Sequence, residues 1–244
     1  MTIQKKWFES WFDTHYYHIL YRHRDNKEAQ KFIKNLVQFL KIGKEQRILD
    51  LACGKGRHAV YLNQLGFNTT GVDLSKKNID VAKKYSNSNL DFKIHDMRLP
   101  MKSKFDLILN MFTSFGYFDS LEDDHKVLKS IKESLNVNGI GVIDFMNVPY
   151  VVEKLIPINH YNIKGIDFKI ERFFDGEFIT KKIRVKDGDS IFNFKERVRA
   201  FGYDDFKSIL MKNNLKILAS FGSYDLEPYD EKKSTRLILI FNID

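Results

Sequence analysis

From Arg47 onward the chain alternates short apolar runs with segments of helical periodicity, and no other feature limits its fold so strongly. Five strand-like runs follow one another with helical patterns or turns between them: RILDLA, NTTGVD, LDFKIH, FDLILN and IGVIDF. Strands joined through helices form right-handed βαβ units, which build a parallel sheet covered on both faces. Two further runs, LKILASFG and RLILIFNI, lie near the C-terminus. The pattern predicts an α/β fold with a doubly wound, mostly parallel, seven-stranded sheet.

Two helices are predicted before the first strand. Aromatic residues recur at helical spacing over residues 4–22, with a break expected near Asp13. A second helical pattern follows Asp25, a residue type suited to a helix N-cap. We therefore expect residues 1–43 to form a helical cap on the α/β domain.

Between the fifth and sixth predicted strands of the sheet lies a segment with a different pattern. Three extended stretches from Ile166 to Phe201 are separated by the turns FDGE and VKDGDS. Asp-Gly between alternating apolar and polar residues indicates a hairpin, because the turn requires positive φ. The pattern predicts an antiparallel β-meander at residues 158–201, inserted between segments 1–157 and 202–244 of one domain. Because the sheet can close without the insertion, we expect the insertion to be a substrate lid.

The most informative segment for function is ILDLACGKGRHA, residues 48–59, where a strand ends near Asp50 and runs into a glycine-containing turn that opens a helix. Gly54 and Gly56 allow the backbone to approach a ligand and to point N–H groups at it. By spacing alone, GKGRHA also matches the G-x-G-x-x-A form of the dinucleotide-binding fingerprint. The turn therefore predicts a ligand-binding loop and leaves the identity of the ligand open.

The next two predicted strands, NTTGVD and LDFKIH, also end at or just before an aspartate. Asp73 ends the second strand, 23 residues after Asp50, where an acid accepts hydrogen bonds from ribose hydroxyls in nucleotide-binding α/β folds. Asp96 follows the third strand, where its carboxylate can accept from an adenine amino group, with the soft surface of Met97 beside the ring. Three acids at the carboxyl edge of successive strands predict an adenosine-containing ligand.

These motifs resemble those of class I S-adenosylmethionine-dependent methyltransferases, in particular the bacterial small-molecule type with a β-rich insertion after the fifth strand. DLACGKG stands at the family's glycine-rich motif, GVDLS at its ribose-binding motif, HDMR at its adenine-binding motif and FDLILNMFTSFGYF at its fourth strand and active-site loop. The resemblance is strong over residues 46–147 and looser over residues 204–242. It implies a Rossmann-like fold, S-adenosyl-L-methionine as cofactor and methyl transfer as the activity.

The resemblance also implies which residues hold the cofactor. Asp50 and the backbone of residues 54–56 would hold the methionine portion, Asp73 the ribose, and Asp96 with Met97 the adenine. The full set of predicted cofactor-binding residues is Asp50, Ala52, Cys53, Gly54, Gly56, Asp73, Leu74, Asp96, Met97 and Asn110.

The sequence departs from the family pattern in two places. Ala52 replaces the first glycine of the glycine-rich motif and is expected to keep a negative φ, at which a methyl group costs little. Val137 and Asn138 stand where a Pro-Gly-Gly turn is common in the family.

Charge favours the methyltransferase interpretation over its alternatives. Asp50 would repel a pyrophosphate but would attract the ammonium of a methionine moiety. An NAD(P)-type oxidoreductase remains the alternative from another class, and an RNA or protein methyltransferase remains the alternative within this one. The sequence predicts transfer of a methyl group to an N or O atom of a small molecule by in-line displacement.

Methyl transfer from a sulfonium needs an acceptor atom held in line with the S–CH3 bond in a site that excludes water. Aromatic faces of the N-terminal helix could stabilise a sulfonium or ammonium by cation–π attraction. A general base is optional for an amine, and His58 and His125 are the weaker candidates for that role. The residues predicted to line the acceptor pocket are Tyr17, Asn110, Phe112, Ser114 and Tyr117.

Composition limits the remaining classes. Lys and Arg number 40 against 32 Asp and Glu, but no basic run exceeds two residues, which disfavours a nucleic-acid groove. Cys53 is the single cysteine, which excludes an intrachain disulfide, and no complete ligand set indicates a metal, so none is predicted.

No apolar stretch approaches the roughly 18 residues that span a bilayer. The N-terminus does not resemble a signal peptide, so we expect a cytoplasmic protein without a membrane partner.

Overall fold

The computed structural model describes residues 7–22 and 26–244. The predicted N-cap Asp25 and the first six residues of the predicted helical cap lie outside these ranges. The strands are β1 (Arg47–Leu51), β2 (Asn68–Asp73), β3 (Leu90–Ile94), β4 (Phe105–Asn110), β5 (Leu135–Met146), β6 (Ile158–Ile163), β7 (Ile166–Phe174), β8 (Phe178–Asp187), β9 (Ser190–Arg199), β10 (Leu215–Phe221) and β11 (Arg236–Ile243). The helices are α1 (Trp7–Trp11), α2 (His15–Leu20), α3 (Asn26–Leu40), α4 (Arg57–Gln64), α5 (Lys76–Ala82), α6 (Leu121–Ser134), α7 (Val148–Glu153) and α8 (Tyr203–Lys212).

Seven strands form the central sheet in the order β10-β11-β5-β4-β1-β2-β3. Within this sheet β11 alone runs opposite to the others, because it pairs antiparallel with both β5 and β10. The prediction of a doubly wound, mostly parallel, seven-stranded sheet is confirmed. The strand order places β1, β2 and β3 on one side of the sheet and β4, β5 and β11 on the other, which divides the carboxyl edge into two halves.

Helices cover both faces of the central sheet, which explains why its inner strands are almost continuously apolar. Ile48 and Leu107 belong to a core cluster with α3 and α4, whereas their chain neighbours Leu49 and Ile108 belong to a cluster with α6 and α8. Successive side chains of each strand point to opposite faces of the sheet, so each strand contributes to two separate cores.

The inserted segment forms a second sheet of four strands in the order β6-β7-β8-β9. The expectation of three extended stretches was wrong, because β6 was missed. This strand lies at the sheet edge with mostly exposed or half-buried residues, and its turn to β7 uses Lys164 and Gly165 at φ 56° and 82° in place of an Asp-Gly pair. The helix α7 was also not predicted from the sequence.

The helices of the N-terminal segment pack on different sheets. Helices α1 and α2, separated at residues 12–14, contribute Trp11 and Tyr16 to a core cluster with β7 and β8 of the inserted sheet. The indole N–H of Trp11 donates to Glu196 of β9 at 2.7 Å. Helix α3 packs instead on the central sheet. None of the helices in the described part of the chain is long and apolar enough to cross a membrane.

Candidate active site

A cavity of about 940 Å³ lies at the carboxyl edge of the central sheet. Its lining comes from the loops after β1, β2, β3 and β4, from α1 and α2, and from β8 and β9 of the inserted sheet. Both halves of the sheet edge therefore open into one space, with the N-terminal helices and the insertion opposite them.

The turn after β1 supplies backbone groups to this cavity. Gly54 has φ 56°, and no atom lies within 4 Å of the position that a Cβ would take there, so the turn leaves room for a ligand. Gly56 has φ 83°, but a Cβ there would lie 2.7 Å from the ring of Phe92. Gly54 thus allows the ligand approach that was predicted for both glycines, whereas Gly56 allows α4 to pack closely against β3.

Ala52 adopts φ 65°, so the expectation that it keeps a negative φ was wrong. The turn needs the left-handed conformation at this position, which glycine adopts freely and an L-residue adopts at a cost of roughly 1–2 kcal/mol. The hydrogen bond from the Cys53 N–H to the Val72 carbonyl, 2.9 Å long, helps to hold the strained turn. Ala52 and Cys53 both line the cavity.

Asp50 lies beneath the turn and does not line the cavity. Its side chain is 1% exposed, and its Oδ2 accepts the Ala59 N–H of α4 at 3.2 Å. Burial, with a smaller contribution from the charge of Asp73, raises the pKa of Asp50 to about 7. A positive charge placed above the turn would therefore favour the ionised form of this acid.

Asp73 lines the cavity and also shapes it. One carboxylate oxygen accepts the Gly54 N–H and the other accepts the Ser75 N–H, each at 2.8 Å. Burial raises the pKa of Asp73, opposed by these two hydrogen bonds. Leu74, the next residue, is exposed along the same wall.

Asp96 and Met97 line the same half of the cavity. Arg98 holds the Asp96 carboxylate through its Nε at 3.0 Å and its Nη2 at 2.6 Å, and its Nη1 reaches Asp123 at 2.9 Å. The predicted adenine acceptor is therefore fixed in place by a neighbouring guanidinium.

The loop after β4 forms part of the other half. Phe112, Ser114 and Tyr117 line the cavity, and the Ser114 hydroxyl donates to the Met111 carbonyl at 2.8 Å. Asn110 is fully buried instead, with its amide donating to the Leu51 carbonyl at 3.2 Å. The Asn110 side chain therefore links β4 to β1 and does not line the cavity.

Aromatic side chains from the N-terminal helices meet this loop. The ring of Phe12 lies 5.0 Å from that of Tyr17 and 5.5 Å from that of Tyr117. Tyr17 and Tyr117, predicted from separate parts of the chain, thus share one wall of the cavity.

The two histidines considered as bases have different environments. His58 lines the cavity, but burial and the charge of Arg57 lower its pKa to about 3, which makes it a weak base. His125 lies beside Asn213, whose amide nitrogen is 2.8 Å from its Nδ1, and it does not line the cavity. Neither side chain is suited to remove a proton near pH 7 from a ligand in this space.

Several charged side chains of the cavity wall, Arg236 and Glu196 among them, are not among the predicted site residues. Arg236 begins β11 and pairs with the buried Asp144 of β5. Glu196 of β9 accepts hydrogen bonds from Trp11, Tyr21 and Lys181. The polar alternation of β9 was a signal for Glu196, but no local pattern marked Arg236.

The part of the chain that the structure describes holds no group of three or more His, Cys, Asp or Glu side chains that could bind a metal ion.

Comparison with known families identifies the fold around the turn. Residues 48–139 match the family described as "Methyltransferase domain". These residues form a methyltransferase domain. The methyltransferase domain therefore covers β1 to the first part of β5, including the turn, Asp73, Asp96 and the loop after β4.

Two curated relatives cover part of the chain. The ubiquinone biosynthesis O-methyltransferase of Pelagibacter ubique is 33% identical over 136 residues, which are 51% of this chain and 55% of that protein. The glycine/sarcosine N-methyltransferase of Aphanothece halophytica is 26% identical over 157 residues, 61% of this chain and 57% of that protein. The chain thus spans only about half the length of these relatives.

Solved structures match the methyltransferase domain together with the insertion. An S-adenosylmethionine-dependent methyltransferase from Clostridium acetobutylicum has a TM-score of 0.79 at 24% identity, over 94% of this chain and 96% of that one. A sugar N-methyltransferase from a Streptoalloteichus species has a TM-score of 0.72 at 16% identity, over 95% and 94%. The fold of nearly the whole chain is therefore that of these methyltransferases.

Proposed function

We propose that this protein transfers a methyl group from S-adenosyl-L-methionine to a nitrogen or oxygen atom of a small molecule. The observation that carries the proposal is the single cavity that joins the Gly54 turn, Asp73 and Asp96 to the loop after β4. When bound, the cofactor supplies an activated methyl group on a sulfonium. The protein's part is to bind and orient both reactants.

The residues along β1 to β3 suit this cofactor. The open space at Gly54 accommodates the methionine portion beside backbone N–H groups, with the acid Asp50 beneath the turn. Asp73 has further lone pairs for ribose hydroxyls, and Asp96 with Met97 offers a carboxylate and a thioether to the adenine. Cys53 and Leu74 add apolar contacts along the same wall. A dinucleotide pyrophosphate beside the turn would be repelled by the charges of Asp73 along the wall and of Asp50 beneath the turn.

Positioning supplies most of the catalysis in this proposal. His58 is a weak base, and the hydroxyl of Ser114 is bonded to the Met111 carbonyl. An amine that reaches the cavity in its neutral form needs no base, so in-line alignment with the methyl group is the main requirement. Tyr17, Phe112 and Tyr117 would align the acceptor and exclude water, and their ring faces stabilise positive charge.

The insertion and the N-terminal helices would determine which acceptor enters. Ile179, Lys181, Glu196 and Val198 of the inserted sheet line the cavity. We propose that segment 158–201 is the acceptor-side wall, and that segments 1–157 and 202–244 bind the cofactor. A lid of this kind is consistent with the variety of small acceptors named for the relatives.

A small molecule is the acceptor class that the cavity favours over RNA or protein. Its volume of about 940 Å³ has to hold the cofactor and the acceptor together. The net charge of +8 is spread along the chain without basic runs, so it offers no track for phosphates. Activity in the cytoplasm, where this cofactor is available, is part of the same proposal.

Calorimetry and a methyl-transfer assay test the proposed function. The protein is expected to bind S-adenosyl-L-methionine and S-adenosylhomocysteine and not NADH. Acceptor candidates are then screened with methyl-labelled cofactor, and label is expected in a small product and not in RNA or protein. Binding of NADH with no binding of S-adenosylhomocysteine would overturn the proposal.

Cofactor affinity is expected to depend on pH through Asp50. In the free protein the pKa of Asp50 is about 7, with Asp73 and Arg57 as its charged neighbours. A methionine ammonium favours the ionised acid, so affinity for S-adenosylhomocysteine should rise between pH 6 and 7.5 by at most about tenfold per unit. Calorimetry with Asp50→Asn should give a flatter profile and weaker binding at pH 7.5. An unchanged slope in this variant would assign the dependence to another group.

A further inference from the structure

The half of the cavity away from the glycine-rich turn carries an arginine at the sheet edge. Arg236 is the first residue of β11, where it stands opposite Met146 in the antiparallel pairing with β5. Three strand steps separate β11 from β1, which is about 14 Å at the usual strand spacing. Arg236 is therefore on the acceptor side of the cavity and remote from the adenosine-binding acids.

Buried protein groups hold the guanidinium from one side. Its Nε donates to Oδ1 of Asp144 at 2.7 Å, and its Nη2 lies 2.6 Å from the same oxygen and donates to the Thr113 hydroxyl at 3.1 Å. The other carboxylate oxygen of Asp144 accepts the Phe112 N–H at 2.8 Å and the Tyr224 hydroxyl at 3.1 Å. Asp144 is 1% exposed and its oxygens are already engaged, so it acts as a support for Arg236.

The remaining edge of the guanidinium is available to a ligand. Nη1 of Arg236 makes no hydrogen bond to any residue in the described ranges, while the side chain lines the cavity and is 17% exposed. Nη1 carries two N–H groups, which would be left without a partner in a closed, dry site. Two N–H donors on a positively charged group suit an anionic acceptor such as a carboxylate or phosphate.

A second guanidinium, that of Arg57 beside the glycine-rich turn, shares an aromatic neighbour with Arg236. The ring of Phe112 is 5.2 Å from the guanidinium carbon of Arg57 and 5.7 Å from that of Arg236. Phe112 and Thr113 have φ 65° and 60°, a conformation that L-residues avoid, and Asp144 holds both of their N–H groups. Asp144 thereby holds the loop that carries Phe112 and Thr113 beside Arg236.

We infer that Arg236 is a specificity-determining residue that binds an anionic group, a carboxylate or a phosphate, on the methyl acceptor. The inference rests on the proposed function, since that function places the acceptor at this end of the cavity. The anionic group lies beside Nη1, and the aromatic walls contact the rest of the acceptor. The reacting atom is thereby held at a set distance from the methyl group.

Calorimetry on protein saturated with S-adenosylhomocysteine tests the inference with aromatic probes. Benzoate and phenyl phosphate differ in the anionic group, and benzamide is the neutral match for benzoate. We expect at least one anion to bind about tenfold or more tightly than benzamide, because a charge-assisted pair is lost in the amide. Equal binding of all three probes would overturn the inference. The stronger of the two anions identifies the acceptor group.

Variants separate this role from support of the loop. Arg236→Gln should reduce anion binding about tenfold while leaving benzamide binding and S-adenosylhomocysteine affinity unchanged. If the single variant unfolds because Asp144 is left unpaired, Asp144→Asn with Arg236→Gln removes both charges and keeps similar shapes. Lys216→Gln, which removes an exposed charge from β10, is the control for overall charge.

The outcomes distinguish the inference from the proposed function. Failure of the unmutated protein to bind S-adenosylhomocysteine overturns the proposed function, and anion binding can still be measured on the protein alone. A large loss of S-adenosylhomocysteine affinity in Arg236→Gln would mean that Arg236 holds the cofactor carboxylate, and the inference would be wrong. Unchanged anion binding in Arg236→Gln would also overturn it.

Discussion

Replacement of Arg199 by methionine is expected to lower the free energy of unfolding by about 3–5 kcal/mol at pH 8, because it leaves a buried acid without its counter-ion. Nε of Arg199 donates to Oδ2 of Asp124 at 3.3 Å, and Asp124 is 0% exposed. Nη2 of Arg199 also donates to the Asp119 carbonyl at 2.7 Å. The ion pair with Asp124 thus links the end of β9 in the inserted sheet to α6 of the central domain.

The loss of stability should be smaller at lower pH. Burial raises the pKa of Asp124 to about 7, and the charge of Arg199 opposes this rise. Without Arg199 the pKa of Asp124 rises further, so at pH 6 the acid is neutral in the folded protein with or without its partner. The difference between variant and parent should therefore grow as pH increases from 6 to 8, by at most about 1.4 kcal/mol per unit. Urea unfolding at both pH values measures it.

Arg197→Met is the matched control for this prediction. Arg197 lies on the same strand, and both guanidinium groups lie over the ring of Phe178. Its acidic partner Asp119 is 86% exposed, so the pair contributes roughly 0–1 kcal/mol. Equal losses in the two variants, or a loss for Arg199→Met that does not change with pH, would contradict the assignment of the effect to Asp124.

Asp73→Ala is expected to weaken binding of S-adenosylhomocysteine by about 1.5–3 kcal/mol, or roughly 10- to 150-fold, through loss of charge-assisted ribose hydrogen bonds. The structure adds a second cause. Asp73 also accepts the N–H groups of Gly54 and Ser75, so its removal loosens the turn that faces the methionine portion. Calorimetry at pH 7.5 measures the loss.

Two variants make the cause of this loss visible. Asp80→Ala removes an exposed acid of α5 that pairs with Lys76, and should leave affinity unchanged. Asp73→Asn keeps the size of the side chain but loses the charge and one acceptor oxygen, so it should fall between the parent and Asp73→Ala. An affinity for Asp73→Ala within twofold of the parent would show that the ribose is not held here.

Much of the central sheet could be predicted because its signals are local. The run FDLILN coincides with β4, and the run NTTGVD coincides with β2. Asp-Gly pairs located two hairpin turns of the insertion, with Gly176 and Gly188 at positive φ. The edge strand β6 lacked such a signal, since its turn uses Lys164 and a glycine and its residues face solvent.

The positions of Asp73 and Asp96 in the proposed cofactor half could be predicted from the sequence for a similar reason. Asp73 and Asp96 follow neighbouring parallel strands, whose carboxyl ends meet at one edge of the sheet. The same rule could not tell that Asp50 lies beneath the turn or that Gly56 faces Phe92. Those details depend on which side of the turn the next helix covers. The positive φ of Ala52 also follows from that path and not from its residue type.

The sequence by itself determined the order of the central-sheet strands along the chain, the place of the insertion and the three aspartates at strand ends, because each depends on residues close together in the chain. Only the tertiary structure decided that α1 and α2 pack on the inserted sheet, and that Arg236 and Asp144, 92 residues apart, form one end of the cavity. The contact between these two residues forms because β11 pairs antiparallel with β5, which places Arg236, its first residue, at the edge of the sheet that lines the cavity. Such contacts depend on how whole strands and helices pack together, and no local sequence pattern predicts them.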